Sequence, residues 1–123
     1  MKPTEAQFAE RLPAWEALSE FFLDTELQES DYERIAKTLA ATGYTAEQLE
    51  EILIGEVCPA CRFNALAPAG EWEGFDSDWL KEYISPQFGK RPRFRFWFVL
   101  LHRWMYAKHW EKVKARILEL RAR

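Results

Sequence analysis

No stretch of this sequence is long and apolar enough to cross a bilayer. The longest apolar run, Phe96 to Leu101, is six residues, against the ~20 that a spanning helix needs. Histidine is scarce, with His102 and His109 alone. Cysteine is as scarce, with Cys58 and Cys61 alone, so a disulfide-stapled secreted scaffold is excluded. The five glycines form no phosphate-binding loop, and spacing nominates no Ser–His or Cys–His pair. The opening residues, Met1-Lys2-Pro3-Thr4-Glu5, contain no apolar leader segment. Together with the few cysteines, this leads us to expect a reducing, cytoplasmic location.

What is present is apolar and aromatic. Hydrophobic residues make up 48% of the 123 residues and aromatics 15%, which excludes a disordered chain and suits one domain with a sizeable core. Charge is divided unevenly. Residues 1–60 carry 4 Lys/Arg against 13 Asp/Glu, a net of −9, and residues 61–123 carry 13 against 7, a net of +6. Such a division means either that the halves compensate each other or that faces of opposite sign meet different partners.

The periodicity is helical throughout. Thr4-Glu5-Ala6-Gln7, Ser30-Asp31-Tyr32-Glu33 and Thr45-Ala46-Glu47-Gln48 each have capping-box form. Apolar residues then recur at helix spacing. Phe8, Leu12 and Trp15 open the series, and Trp15, Leu18, Phe21 and Phe22 follow after an interruption expected at Pro13. Tyr32, Ile35, Ala36 and Leu39 form the next stripe, with Gly43 expected to stop that helix in the left-handed conformation. Leu49, Ile52 and Leu53 mark another, reaching Gly55 or Val57. A short helix is expected from Pro59 to about Leu66, and a further one from Asp76 to Ile84.

The last segment, Arg93 to Leu120, carries two stripes. Phe94, Trp97, Phe98, Leu101, Trp104 and Met105 share one direction; Tyr106, Trp110, Val113, Ile117 and Leu120 share another, about 140° away at 100° per residue. The helix therefore either breaks near Ala107-Lys108 or buries one face early and another late. Lys112, Lys114, Arg116 and Arg123 are expected to point outward. The fold expectation is all-α: residues 1–123 as a single-domain bundle of about six helices with a long or broken C-terminal helix.

Three places offer chemistry. Cys58-Pro59-Ala60-Cys61 has the C-x-x-C spacing of a redox pair or half a zinc site. The preceding residues read as helix, not the strand that a thioredoxin-type pair follows. His102 and His109, two turns apart on one helix, cannot both complete a zinc site unless that helix breaks. Packed core thiols are the plainer reading, and no cofactor or metal is expected. Lys90-Arg91-Pro92-Arg93-Phe94-Arg95-Phe96-Trp97 interleaves basic and aromatic residues, as single-stranded nucleic-acid sites do. Arg91, Arg93 and Arg95 are the candidates there; the plainer reading is the solvated start of a buried helix. The carboxylate pairs Asp24/Glu26 and Asp76/Asp78 serve capping as readily as catalysis. Among the six tryptophans, Trp72 stands between Glu71 and Glu73 without a periodic partner, as an exposed aromatic anchor would.

Several segments, taken in order, resemble a known family. They are Trp15-Glu16-Ala17-Leu18-Ser19, Phe22-Leu23-Asp24-Thr25-Glu26, Leu49 to Leu53, Glu56-Val57-x-Pro59-x-Cys61, and Ala69-Gly70-Glu71-Trp72-x-Gly74-Phe75-Asp76. The sequence resembles an uncharacterised family of small helical bacterial proteins over about residues 10–85, with the last segment the most specific. The family pattern has a cysteine at the place of Cys61. By analogy with small, acidic-surfaced helical bacterial proteins, the resemblance implies a toxin-immunity or antitoxin-like binding protein. The expected interface is Asp24, Glu26, Glu29 and Asp31 with Trp72 and Glu73, facing a cationic toxin or effector. A nucleic-acid-binding regulator and a thiol-redox or metal protein are the alternatives.

Overall fold

In a computed structural model of the chain, residues 3–22, 26–61, 77–89 and 96–122 are described; at Ser77, Trp79 and residues 96–105 the description is of the backbone alone. Five α-helices occur among them: α1 (Glu5–Ser19), α2 (Glu29–Ala40), α3 (Ala46–Ile52), α4 (Ser77–Ile84) and α5 (Phe96–Ala122). No strand occurs among the described residues, and the protein is all-α. None of the described helices is long and apolar enough to cross a membrane.

Two of the three expected capping boxes form where the sequence places them. Thr4 and Gln7 exchange bonds of 2.9 and 3.1 Å, and so do Thr45 and Gln48. The third is displaced by two residues. Ser30 lies inside α2, the N-cap is Gln28, and the Asp31 carboxylate accepts the Gln28 N–H at 2.8 Å. That bond, with Arg34 beside it, holds the Asp31 pKa below its ordinary value.

Pro13 does not interrupt α1. Its ring is exposed, and the flanking core residues hold the helix against a cost of about 3 kcal/mol for an interior proline. After Ser19 the chain tightens into a 3₁₀ turn, Glu20–Phe22, which buries Phe21 and Phe22. Gly43 does not stop α2 in a left-handed conformation; Gly89 is the one described residue with positive φ, at 78°. The end of α2 is met from far along the chain instead. The Arg121 guanidinium donates to the Tyr44 carbonyl at 2.6 Å and lies 3.3–3.5 Å from those of Leu39, Ala40 and Thr42, so carbonyls that lack intrahelical donors are satisfied.

The C-terminal segment is one helix of 27 residues without a break at Ala107-Lys108. The second stripe is buried as expected: Tyr106, Trp110, Val113 and Ile117 join the core, with Leu120 packed on its edge. Lys112 and Arg116, expected to point outward, turn toward α2. Arg116 pairs with Glu29 and Glu33, and Lys112 approaches Glu29 at 4.0 Å. The helices α2 and α5 are therefore matched both by an apolar seam and by opposite charge.

The core gathers Trp15, Leu18 and Phe22 from α1 and its 3₁₀ turn, Ile35 and Leu39 from α2, Leu49 and Leu53 from the α3 region, Leu80 and Ile84 from α4, and Val113 and Ile117 from α5. Between α3 and residue 61 the helical path continues, but Leu53–Val57 form a π turn. One residue more per turn than in an α-helix is accommodated there. Leu53, Gly55, Glu56 and Val57 are all buried, which makes this turn the centre of the fold.

Candidate functional site

The π turn carries a carboxylate in the core. Glu56 is only 3% exposed. Its Oε1 accepts the Trp15 indole N–H at 2.9 Å. Its Oε2 accepts Arg11 Nη1 at 2.6 Å and the Gly89 backbone N–H at 3.1 Å. One side chain thus ties α1, the π turn and the turn after α4. Each contact has a local cause. Arg11 and Trp15 are one α-helical turn apart, so both project from the same side of α1. The positive φ of Gly89, a conformation that L side chains rarely adopt, orients the turn whose N–H reaches the carboxylate.

Burial raises the Glu56 pKa above its ordinary value, against the opposing pull of Trp15, Arg11 and Gly89. Desolvation of the charge outweighs three donors. The Arg11 guanidinium is itself confined. It lies 5.2 Å from the centre of the Tyr44 ring and 4.6 Å from that of Phe88, so two π faces hold the cation. Its Nε is buried and has no acceptor among the described residues. Beside this group opens a cavity of about 190 Å³, lined by Arg11, Tyr44, Gln48, Glu51, Glu56 and Gly89, with Ile52 as its apolar wall.

Sequence reasoning did not nominate Arg11 or Glu56. A signal was present: the stripe Leu49, Ile52, Leu53 continues one turn later onto Glu56, which is a charge on the face that faces the core.

Three of the expected interface residues, Glu26, Glu29 and Asp31, lie among the described residues. Glu26 is exposed. Glu29 is exposed and paired with Arg116, and Asp31 caps α2 and contacts Arg34 at 3.2 Å. Asp24, Trp72 and Glu73 lie outside the described residues, as do Arg91, Arg93 and Arg95 of the nucleic-acid alternative. The structure therefore brings Glu29 and Asp31 into intramolecular pairs.

Cys58 and Cys61 are both buried and not joined in a disulfide. Burial, with Cys58 alongside, pushes the Cys61 thiol far above its ordinary range, the direction opposite to that of a reactive thiolate. No group of three or more His, Cys, Asp or Glu among the described residues is placed to hold a metal ion. His109 accepts or donates at Nδ1 to the Tyr32 hydroxyl at 2.7 Å and stacks on Phe21, with ring centres 5.6 Å apart. Burial first, then Lys108 and Lys112, lowers its pKa.

These features define an all-helical protein built around a buried carboxylate–guanidinium pair. The family described as a domain of unknown function (DUF7079) matches residues 9–116, and the chain belongs to it. The match runs past Ser85, where the sequence resemblance ends, and takes in most of α5. No curated protein and no solved structure matches the chain.

Proposed function

We propose that this chain is an immunity- or antitoxin-like binding protein that neutralises a bacterial toxin or effector by direct contact in the cytoplasm. The observation that carries this reading is the distribution of exposed carboxylates. The acids of α2 have ion-pair partners on the surface of the same chain, since Glu29 and Glu33 meet Arg116 and Asp31 meets Arg34. Glu10 and Glu16 on α1 and Glu47 and Glu51 on α3 are exposed and have no ion-pair partner among the described residues. Negative charge left over on a folded surface steers association with a cationic partner and speeds it most at low salt.

The basic half offers less to a nucleic acid than its composition suggests, because Lys112, Arg116 and Arg121 face α2. The proposed interface accordingly centres on α1 and α3, with Glu26, Trp72 and Glu73 as further contacts.

The experiment is co-expression with the product of the adjacent gene, followed by co-purification and a toxicity assay. A stable complex and protection of the cell are expected. Reversal of charge at Glu47 and Glu51 is expected to slow association and flatten its salt dependence. Absence of both complex and protection would overturn the reading.

A further inference from the structure

A second cavity opens between α3 and α5. Its volume is about 310 Å³, at the lower end of the ~300–1,000 Å³ of small-ligand sites, so it has room for one long side chain. Tyr106 and Trp110, 4% and 3% exposed, form its floor. Half-buried Ile54 adds an apolar wall, and Glu50, Glu111 and Lys114 complete the lining.

The Glu50 carboxylate is held in place. Its Oε1 accepts the Trp110 indole N–H at 2.9 Å. Glu50 makes no other hydrogen bond and no ion pair among the described residues, so its Oε2 keeps its capacity to accept. Glu111 and Lys114 have no ion-pair partner among the described residues either. Two carboxylates and one ammonium thus line one cavity, unpaired.

The lining decides the occupant. An apolar group would desolvate these charges without pairing them, which is costly. An anion would meet Glu50 and Glu111. A cation meets two carboxylates against one ammonium, and that ammonium sits on a flexible four-carbon stem. Among cations, a guanidinium fits best: it is planar and weakly hydrated, lies well against aromatic rings, and gives a carboxylate two N–H donors at once. Glu50 follows the exposed Glu47 by three residues, so the two are neighbours on the surface of α3. The cavity therefore adjoins acids of the proposed interface.

We infer that this cavity is the anchor point of that interface and takes an arginine side chain of the cationic partner. The site rests on the binding function proposed above and gives it a specific contact: the guanidinium on Glu50 Oε2, with Tyr106 and Trp110 beneath. A buried arginine of this kind is a usual hot spot of a protein interface.

Two measurements on the full chain test the site. In the first, the Trp110 indole N–H is followed by NMR, its resonance assigned with Trp110→Phe, during titration with L-argininamide, methylguanidinium, methylammonium and acetate. A saturable shift is expected with argininamide and methylguanidinium, and binding at least about tenfold weaker with methylammonium and acetate. Glu50→Gln keeps an acceptor for Trp110 and removes the charge; it is expected to weaken argininamide binding about tenfold. Lys114→Ala removes the competing cation and is expected to tighten it about two- to fivefold. In the second, Glu50→Gln is expected to weaken the complex with the product of the adjacent gene by at least about tenfold, mainly through faster release. No shift with either guanidinium probe, methylammonium binding as tightly as methylguanidinium, or a complex that forms with wild type and is unchanged by Glu50→Gln would overturn the arginine site and leave the binding function standing. Saturable argininamide binding with no complex at all would support the arginine site and overturn the immunity-like reading.

Discussion

The indole N–H of Trp15 points at the Glu56 carboxylate across 2.9 Å, with Trp15 fully buried and Glu56 3% exposed. This bond joins α1 to the π turn, and it is one of three donors that offset the desolvation of a buried charge. Trp15→Phe keeps an aromatic ring and removes the donor. The expected loss is about 2–4 kcal/mol, from a charge-assisted hydrogen bond and the smaller ring. Urea unfolding measures it. A loss below about 0.5 kcal/mol, the usual range for a neutral surface change, would mean that Arg11 and Gly89 hold Glu56 without help.

Breaking the pair from the other side costs more. Glu56→Gln retains an acceptor for Trp15 but sets an amide NH₂ against the Arg11 and Gly89 donors, at least one of which loses its bond. A buried cation left unpaired destabilises by about 3–5 kcal/mol. Guanidinium denaturation of the variant is expected to show a midpoint shift of that size. Glu56→Leu, which adds apolar burial but strands Arg11 equally, is expected to recover little.

The thiols make a kinetic prediction. Cys58 and Cys61 are buried, and the Cys61 thiol is far from ionising at neutral pH. Ellman's reagent is expected to leave both unmodified in the native protein and to titrate two thiols once the chain is unfolded. Rapid modification of the native protein would instead return the C-x-x-C pair to the redox reading.

Arg121 is expected to act as a C-cap supplied in tertiary contact. Arg121→Ala removes the 2.6 Å bond to the Tyr44 carbonyl and the longer contacts at the end of α2. The expected cost is about 1 kcal/mol, the ordinary worth of one exposed-to-intermediate hydrogen bond set. Amide hydrogen exchange is expected to quicken at Ala41 and Thr42, whose N–H groups close the last turn of α2. Unchanged exchange there would show that the helix end needs no outside donor.

The parts of the fold legible in the sequence are those with local causes. Thr4 with Gln7 and Thr45 with Gln48 cap their helices because both partners lie three residues apart. The stripe from Tyr106 to Ile117 is buried as its spacing requires. What the sequence hid is long-range. Nothing near Gly43 shows that Arg121 will satisfy the end of α2, and nothing near Glu29 shows that Arg116 will face it. The net charges of −9 and +6 left two outcomes open, and among the described residues Lys112 and Arg116 of the basic half meet Glu29 and Glu33 of the acidic half. Glu56 was readable as a charge on an apolar stripe, but its partners Arg11 and Gly89 lie 45 and 33 residues away.

Stability against pH is expected to carry two slopes of opposite sign. For Glu56 the folded pKa is raised by burial above the ordinary 4.5. Between those two values the native state holds more protons than the unfolded state, so stability falls as pH rises through the interval. For His109 the folded pKa is lowered below the ordinary 6.5, by burial and by Lys108 and Lys112. There the unfolded state holds more protons, so stability is present above 6.5 and is lost as pH falls through the folded value. Protonation would also force a proton onto Nδ1 or Nε2 in a setting already crowded by cations, with Lys112 5.0 Å from the centre of the Tyr32 ring. The two effects separate by mutation. The unfolding free energy of wild type minus that of His109→Gln is expected to rise with pH up to about 6.5, the unperturbed histidine value, and then level. Wild type minus Glu56→Gln is expected to fall with pH above about 4.5. A falling curve for the histidine pair would mean that the Tyr32 hydroxyl stabilises the imidazolium, and a rising curve for the glutamate pair would mean that Trp15, Arg11 and Gly89 together outweigh burial.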